Sequence, residues 1–184
     1  MKRKALNHCA WVNLKNPLNV KYHDEEWGRP LHDDQKLFEL LLLESFQAGL
    51  SWECVLNKRE AFREAYDNFD VDKVAAYDEE KIAALLQNPG IIRNRLKVKA
   101  SVQNASVFKK IQAEYGSFDA YIWRFTDGKV IKEDYRVRTF SPLSDTVSKD
   151  LKKRGMKFVG TTIIYSYLQA IGVINGHGSE CGIK

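Results

Sequence analysis

The clearest hydrophobic pattern in the chain starts after Asp33 and Asp34. Leu37, Phe38, Leu40, Leu41 and Leu42 recur at helical spacing, either aspartate can cap the first turn, and Gly49 ends the run. Ser51 is placed to cap the next helix. From Asn57 to Phe69 the positions Phe62, Ala65, Tyr66 and Phe69 again follow a helical period. Asp70 and Asp78 predict N-caps for a short helix and for a helix over Glu79–Gln87. Asn88-Pro89-Gly90 breaks the pattern, and a long helix is expected from about Arg93 to Glu114, closed by Gly116. Ser117 caps a short helix reaching Phe125. Ser144 caps one reaching Arg154, with Gly155 just past its end. Thr161 or Thr162 opens a last helix that ends near Gly172. Residues 1–31 and 129–143 show no period and predict loop, with short helical or extended pieces. No alternating run is long enough to anchor a sheet. The expected fold class is all-α, an irregular helical bundle, with residues 1–184 as a single unit that could divide into two sub-lobes.

The chain has 184 residues, 44% hydrophobic and 29% charged, enough for a real core and a soluble surface. Its longest apolar run, Leu40 to Leu43, is far short of the roughly 20 residues of a membrane span. The basic start, MKRKALNHC, lacks the apolar segment of a secretory signal, so a cytoplasmic protein is expected. Nothing in the sequence argues for an oligomer, and a monomer is expected. Lys and Arg exceed Asp and Glu by 29 − 24 = 5. That excess suits a polyanionic partner without specifying one.

Three cysteines, Cys9, Cys54 and Cys181, are too few and odd in number for a disulfide framework. Cys9 and His23 lie towards one end of the chain, His177 and Cys181 towards the other. Together they form a Cys₂His₂ set suited to tetrahedral Zn²⁺, which would tie two irregular terminal segments together. The spacing matches no compact finger and leaves open that the four are unrelated, and His8 could compete for a place. Cys54 reads as a core thiol.

Glu44 follows four leucines and precedes Ser-Phe-Gln-Ala-Gly-Leu-Ser-Trp. Helix phase favours its exposure; burial would require a hydrogen-bonded or ligand-facing carboxylate. Tyr22, Trp27 and Trp52 could form aromatic walls around such a carboxylate, an arrangement suited to a flat, cationic heteroaromatic ligand. Each of them could equally be core. Leu85 to Arg95 looks like a helix–hairpin–helix turn whose backbone N–H groups hold a DNA phosphate, with Arg93, Arg95, Lys97 and Lys99 nearby. The segment is also compatible with an ordinary Pro-Gly turn, and it lacks the second glycine common in such hairpins.

Six segments in order carry a resemblance. They are Cys9-Ala-Trp11; Tyr22-His-Asp-Glu-Glu-Trp27-Gly28; Leu43-Glu44-x-x-Gln47-Ala-Gly-Leu-Ser-Trp52; Asn88-Pro-Gly-Ile-Ile-Arg93; Lys152-Lys-Arg-Gly-x-Lys-Phe-Val-Gly160-Thr-Thr162; and His177-x₃-Cys181. From about residue 8 to residue 182 the chain resembles the 3-methyladenine DNA glycosylase I family. The resemblance implies the helix–hairpin–helix DNA glycosylase fold. It implies one structural zinc on Cys9, His23, His177 and Cys181. It puts Glu44, with Tyr22, Trp27 and Trp52, at a lesion pocket, and Pro89, Gly90, Ile91 and Arg93 at a DNA-binding hairpin. The implied reaction is excision of 3-methyladenine from double-stranded DNA, releasing the free base. No carboxylate occurs between the hairpin and Glu114, where related glycosylases place a catalytic aspartate; Asp119 is a poor substitute. No lysine is evident as a Schiff-base nucleophile. A monofunctional enzyme without lyase activity is therefore expected. Two positions, Asn19 and Phe46, depart from the family pattern; both could alter pocket shape or base preference, and the sequence assigns neither a role.

Overall fold

A computed structural model describes residues 7–183. The basic residues 1–6, on which the absence of a secretory signal was argued, lie outside it. Ten α-helices dominate the described chain: α1 Pro17–Glu25, α2 Asp34–Gln47, α3 Trp52–Leu56, α4 Arg59–Ala65, α5 Val71–Ala75, α6 Glu79–Gln87, α7 Arg95–Tyr115, α8 Phe118–Trp123, α9 Pro142–Lys153 and α10 Thr161–Ala170. The all-α expectation holds. The exception is a two-residue parallel pairing of β1, Ile131–Lys132, with β2, Ile174–Asn175. No described helix is long and apolar enough to cross a membrane.

Most helix starts follow the capping chemistry of the sequence. Asp33, Ser51, Asp70, Asp78 and Ser117 each accept a hydrogen bond from a backbone N–H of the first turn. Three boundaries differ from expectation. The Asn57–Phe69 segment is not one helix: α4 ends at Ala65, and Asp67, Asn68 and Phe69 all take positive φ. Ser141, not Ser144, caps α9, because Pro142 is suited to the first helical position; the two serines form a reciprocal capping box. Asn94 caps α7, so Arg93 stays in the turn.

Helix α2 is the centre of the molecule. Every residue from Leu37 to Phe46 is buried, including Glu39 and Glu44. Helices α7, α8 and α10 pack around it. A helix buried on all faces has no exposed stripe, so helix phase could not indicate where Glu44 points. Glu39 is compensated by ion pairs with Arg59 at 2.7 Å and Arg63 at 2.8 Å. The C-terminal carbonyls of α2 are met by a buried cation: Lys97 Nζ donates to Phe46 O at 2.8 Å and Ala48 O at 2.5 Å. This favourable placement of a positive charge at a helix C-terminus also fixes the loop after α2 against the start of α7.

Candidate active site

A cavity of about 280 Å³ opens where α1, α2, α3 and α10 meet the loop after β1. Glu44, Tyr22, Trp27 and Trp52 all line it, so the four residues singled out around one carboxylate do converge. Tyr22 and Trp52 ring centroids lie 5.0 Å apart. Trp11 packs edge-on to Trp27 at 5.0 Å. Glu44 is 3% exposed, against the expectation from helix phase. Its position at the end of a fully buried helix, aimed into a cavity, overrides that expectation.

The polar lining is distinctive because its atoms are buried without partners in the chain. Among the described residues, Glu44 Oε2, Gln47 Oε1, Trp11 Nε1, Trp52 Nε1, the Tyr165 hydroxyl and Gln169 Nε2 have no hydrogen-bond partner, and all six belong to residues of this cavity. Each such group costs about 1–3 kcal/mol when left unpaired. A concentration of acceptors and donors around one aromatic-walled space is what a flat polar ligand needs. Trp11, Gln47, Tyr165 and Gln169 were not assigned to a site from sequence. Tyr165 and Gln169 are one turn apart on α10, and polar side chains at that spacing on an apolar helix were the available signal.

Burial pushes the Glu44 carboxyl up from 4.5 to about 8, so at neutral pH it is mostly protonated in the free protein. Burial, and then the neighbouring Glu44, also hold the Tyr22 phenol well above its ordinary value. The raised carboxyl value links stability to pH. The unfolded chain loses the Glu44 proton near 4.5 and the folded chain near 8, so folding retains a proton in that window. The resulting stabilisation is full below 4.5 and is lost as pH rises to about 8. Glutamine does not titrate. The stability advantage of Glu44→Gln over the wild type is therefore expected to grow across this window, reaching on the order of 3 kcal/mol near neutrality. Denaturant titrations across the window check this; an advantage independent of pH would contradict it.

The two family departures do not line the cavity. Asn19 is buried and accepts from the Asn13 N–H at 2.8 Å, bracing the segment before α1. Phe46 packs against Phe62, with ring centroids 4.8 Å apart, and is not part of the cavity lining. Neither reshapes the pocket by contact. Glu114 and Asp119 are also elsewhere, paired with Arg154 and His32.

Beside the cavity, Cys9, His23 and Cys181 are buried with their donor atoms within 4.8 Å of one another. Cys181 Sγ lies 3.6 Å from His23 Nε2. His177, the fourth residue of the expected set, lies beside this group but outside the cluster of three. Its ring centroid is 5.0 Å from that of His23, its Nδ1 is engaged by Asn175 Oδ1 at 2.9 Å, and its buried Nε2 has no hydrogen-bond partner among the described residues. Burial pushes the Cys9 thiol up to about 12, opposed by a Gly178 backbone hydrogen bond and reinforced by Cys181. Burial lowers His177 to about 4. Neutral imidazoles beside two buried thiols form a donor set suited to a soft divalent metal. His8 is turned to Asp24, at 3.3 Å, and Cys54 is only half-buried, so it is not the core thiol expected. Trp27 joins the two sites, lining the cavity while its ring packs 4.8 Å from His177. Gly176 permits this closeness: a Cβ there would come within 2.8 Å of Trp27.

At the turn between α6 and α7, Ile91 is buried while Pro89 and Arg93 are exposed. The Gly90 N–H donates to Asn88 Oδ1 at 2.8 Å, and Lys58 Nζ reaches the Pro89 and Gly90 carbonyls, each at 3.3 Å. These contacts draw the carbonyls inward. Among the described residues, the N–H groups of Ile92 and Arg93 have no acceptor in the chain. A Cβ at Gly90 would sit 2.9 Å from Ala61 Cβ, so the turn is pressed against α4.

The sequence pattern of the methyladenine glycosylase family matches residues 11–184. DNA-3-methyladenine glycosylase 1 of Escherichia coli K12 is 44% identical over 183 residues, covering 96% of each chain. DNA-3-methyladenine glycosylase of Haemophilus influenzae is 42% identical over 180 residues, covering 96% of this chain and 97% of its own. A crystal structure of a 3-methyladenine DNA glycosylase I superposes with a TM-score of 0.91 at 45% identity, covering 95% of this chain and 98% of that one. The Staphylococcus aureus enzyme, solved for the structural basis of 3-methyladenine recognition, gives 0.91 at 39% identity, with 97% and 96% covered. The chain belongs to the methyladenine glycosylase family, whose named relatives are hydrolases acting on N-glycosyl bonds.

Proposed function

We propose that this chain hydrolyses the N-glycosidic bond of 3-methyladenine in alkylated double-stranded DNA. It releases the free base and leaves an abasic site. The observation that carries this reading is the set of unpaired buried polar atoms around one aromatic-walled cavity. Adenine presents N6–H donors and ring-nitrogen acceptors on one flat edge, which such a set can meet. Methylation at N3 makes the base in DNA a cation, so the leaving group departs neutral and needs no strong general acid. Water adds to the sugar carbon as the bond to the base breaks. The enzyme's contribution is to extrude and hold the nucleotide, at a cost of a few kcal/mol that is smallest for damaged bases. Stacking on Tyr22, Trp27 and Trp52 offsets about 1–3 kcal/mol per base. Glu44 accepts from N6–H, and its ionised form is favoured by the cationic base, so capture expels the carboxyl proton. Among the described residues no lysine lines the cavity, and Glu44 is its one carboxylate, which supports a monofunctional hydrolase without lyase chemistry.

Cys9, His23, His177 and Cys181 would hold one zinc ion per chain. A metal held by four protein ligands supplies cohesion between the chain ends and no open position for catalysis. The pairing of Asn175 with His177 Nδ1 leaves Nε2 as the free donor, and His23 Nδ1 is likewise oriented by Asp24 at 2.7 Å. We infer that the chain works as one glycosylase unit of the helix–hairpin–helix type, as a monomer in the cytoplasm.

Pro89, Gly90, Ile91 and Arg93 form the DNA-binding hairpin. Ile91 anchors the turn in the core, and the free N–H groups of Ile92 and Arg93 meet a phosphate. Arg93→Ala is expected to weaken binding to all duplexes alike and to flatten the dependence of log K on log salt by about 0.9. Fluorescence anisotropy across a salt series checks it; an unchanged slope would remove Arg93 from the interface.

A further inference from the structure

A guanidinium lines the cavity assigned above to a cationic base. Arg138 and Glu44 are the two formally charged side chains among the described residues of its lining. A cation beside a cationic ligand repels it, most strongly where water is excluded. The Arg138 charge therefore needs a partner other than the base. In this structure the partner is Glu133, whose carboxylate forms an ion pair with the Arg138 guanidinium. The Arg138 side chain is 44% exposed and that of Glu133 15%, so arginine is the outer member of a pair on the cavity rim.

The rim is fixed up to one residue before Arg138. The Glu133 N–H donates to Asn175 O at 3.1 Å and the Tyr135 N–H to Gly176 O at 3.0 Å. The Tyr135 hydroxyl accepts from the Ala10 N–H at 2.9 Å. Asp134 accepts from the Arg136 N–H, and Val137 N–H closes on Asp134 O, both at 3.0 Å. From Arg138 to Phe140, no N–H meets a backbone acceptor among the described residues. Val137 and Phe140 are exposed. Next to Glu133, the Tyr165 hydroxyl is buried on the cavity wall with no aligned hydrogen bond among the described residues. Burial, and then the nearby Glu133 carboxylate, push that phenol up to about 12.

We propose that Arg138 clamps a phosphate of the extruded nucleotide, its guanidinium leaving Glu133 for that phosphate while the Glu133 carboxylate accepts from the Tyr165 hydroxyl. The inference rests on the glycosylase reading, because an extruded nucleotide is what brings a phosphate to the mouth of a base pocket. After the exchange the guanidinium is paired with the phosphate and the cationic base with Glu44, while the Glu133 carboxylate is hydrogen-bonded to the phenol. Guanidinium matches phosphate as a two-pronged donor, and the new anion neutralises the cation that would otherwise oppose the base. Such a contact fixes register without reading sequence.

The test uses the full chain and a duplex carrying one stable abasic-site analogue, titrated across a salt series, with free 3-methyladenine titrated separately. Arg138→Ala is expected to weaken duplex binding roughly tenfold and to lower the salt slope by about 0.9. Arg138→Lys should restore the slope. Glu133→Gln, which removes the competing carboxylate, should tighten duplex binding. Free 3-methyladenine should bind Arg138→Ala as well as the wild type or better. An unchanged slope overturns the clamp. So does weakening by both Arg138→Ala and Glu133→Gln, the pattern of a pair that only holds the loop. Should Arg138→Ala fail to fold, Arg138→Gln reads the same slope. Wild-type chain that releases no 3-methyladenine from methylated DNA sinks the glycosylase reading itself; release with an unchanged Arg138→Ala slope sinks the clamp alone.

Discussion

Glu44→Gln is expected to slow single-turnover release of 3-methyladenine by roughly 30- to 100-fold, the loss of the charge that strengthens one hydrogen bond in a buried site. Affinity for abasic duplex should stay within about twofold, because Glu44 faces the base and not the backbone. The amide can still accept from N6–H through its oxygen, so the loss measures the carboxylate charge. The pH dependence separates charge from shape. The reactive form of the free enzyme has Glu44 ionised, and burial holds that carboxyl near 8. Wild-type kcat/KM should therefore rise with pH and level off above about 8, while the variant stays flat. The same substitution should stabilise the fold, so activity and stability move in opposite directions at this residue. Unchanged release at saturating enzyme would remove Glu44 from the mechanism.

Cys181→Ser is expected to have the largest effect on stability. Elemental analysis of the wild type should give about one zinc per chain, and the variant should give none. Loss of a structural zinc removes a term that reaches about 10–16 kcal/mol in isolated fingers; here, with a large apolar core, a loss of at least ~3 kcal/mol is expected. Chelator-treated wild type should match the variant in denaturant midpoint. At saturating enzyme and low temperature the release rate should change by only a few-fold. Trp27 touches His177 and also lines the cavity, so the residual effect should appear in KM before kcat. A wild type that purifies without metal and resists chelators would contradict this account.

How much of this was legible in the sequence depends on locality. Caps at Asp33, Ser51, Asp70, Asp78 and Ser117 act within one turn, and all five were visible as residue type before an apolar run. The Asn57–Phe69 segment kept its period while the backbone broke at Asp67, because periodicity constrains side-chain positions and not φ. Tyr22, Trp27, Glu44 and Trp52 were found as a group because α1, α2 and α3 are near in sequence as well as in space. Tyr165 and Gln169 were missed because α10 reaches the cavity from more than a hundred residues away. Arg138 was missed because nothing in an irregular loop signals which side chain turns inward. The burial of Glu44 followed from its helix being enclosed on every face, a property of the neighbours and not of the helix.

The most direct test of the central claim is chromatography of the free bases released when wild-type chain is incubated with methylated duplex DNA, with the strands then resolved on a denaturing gel. The account predicts that 3-methyladenine accumulates with enzyme concentration while strands remain uncut until the abasic sites are cleaved chemically. Tight binding to the methylated duplex without release of the base would contradict it.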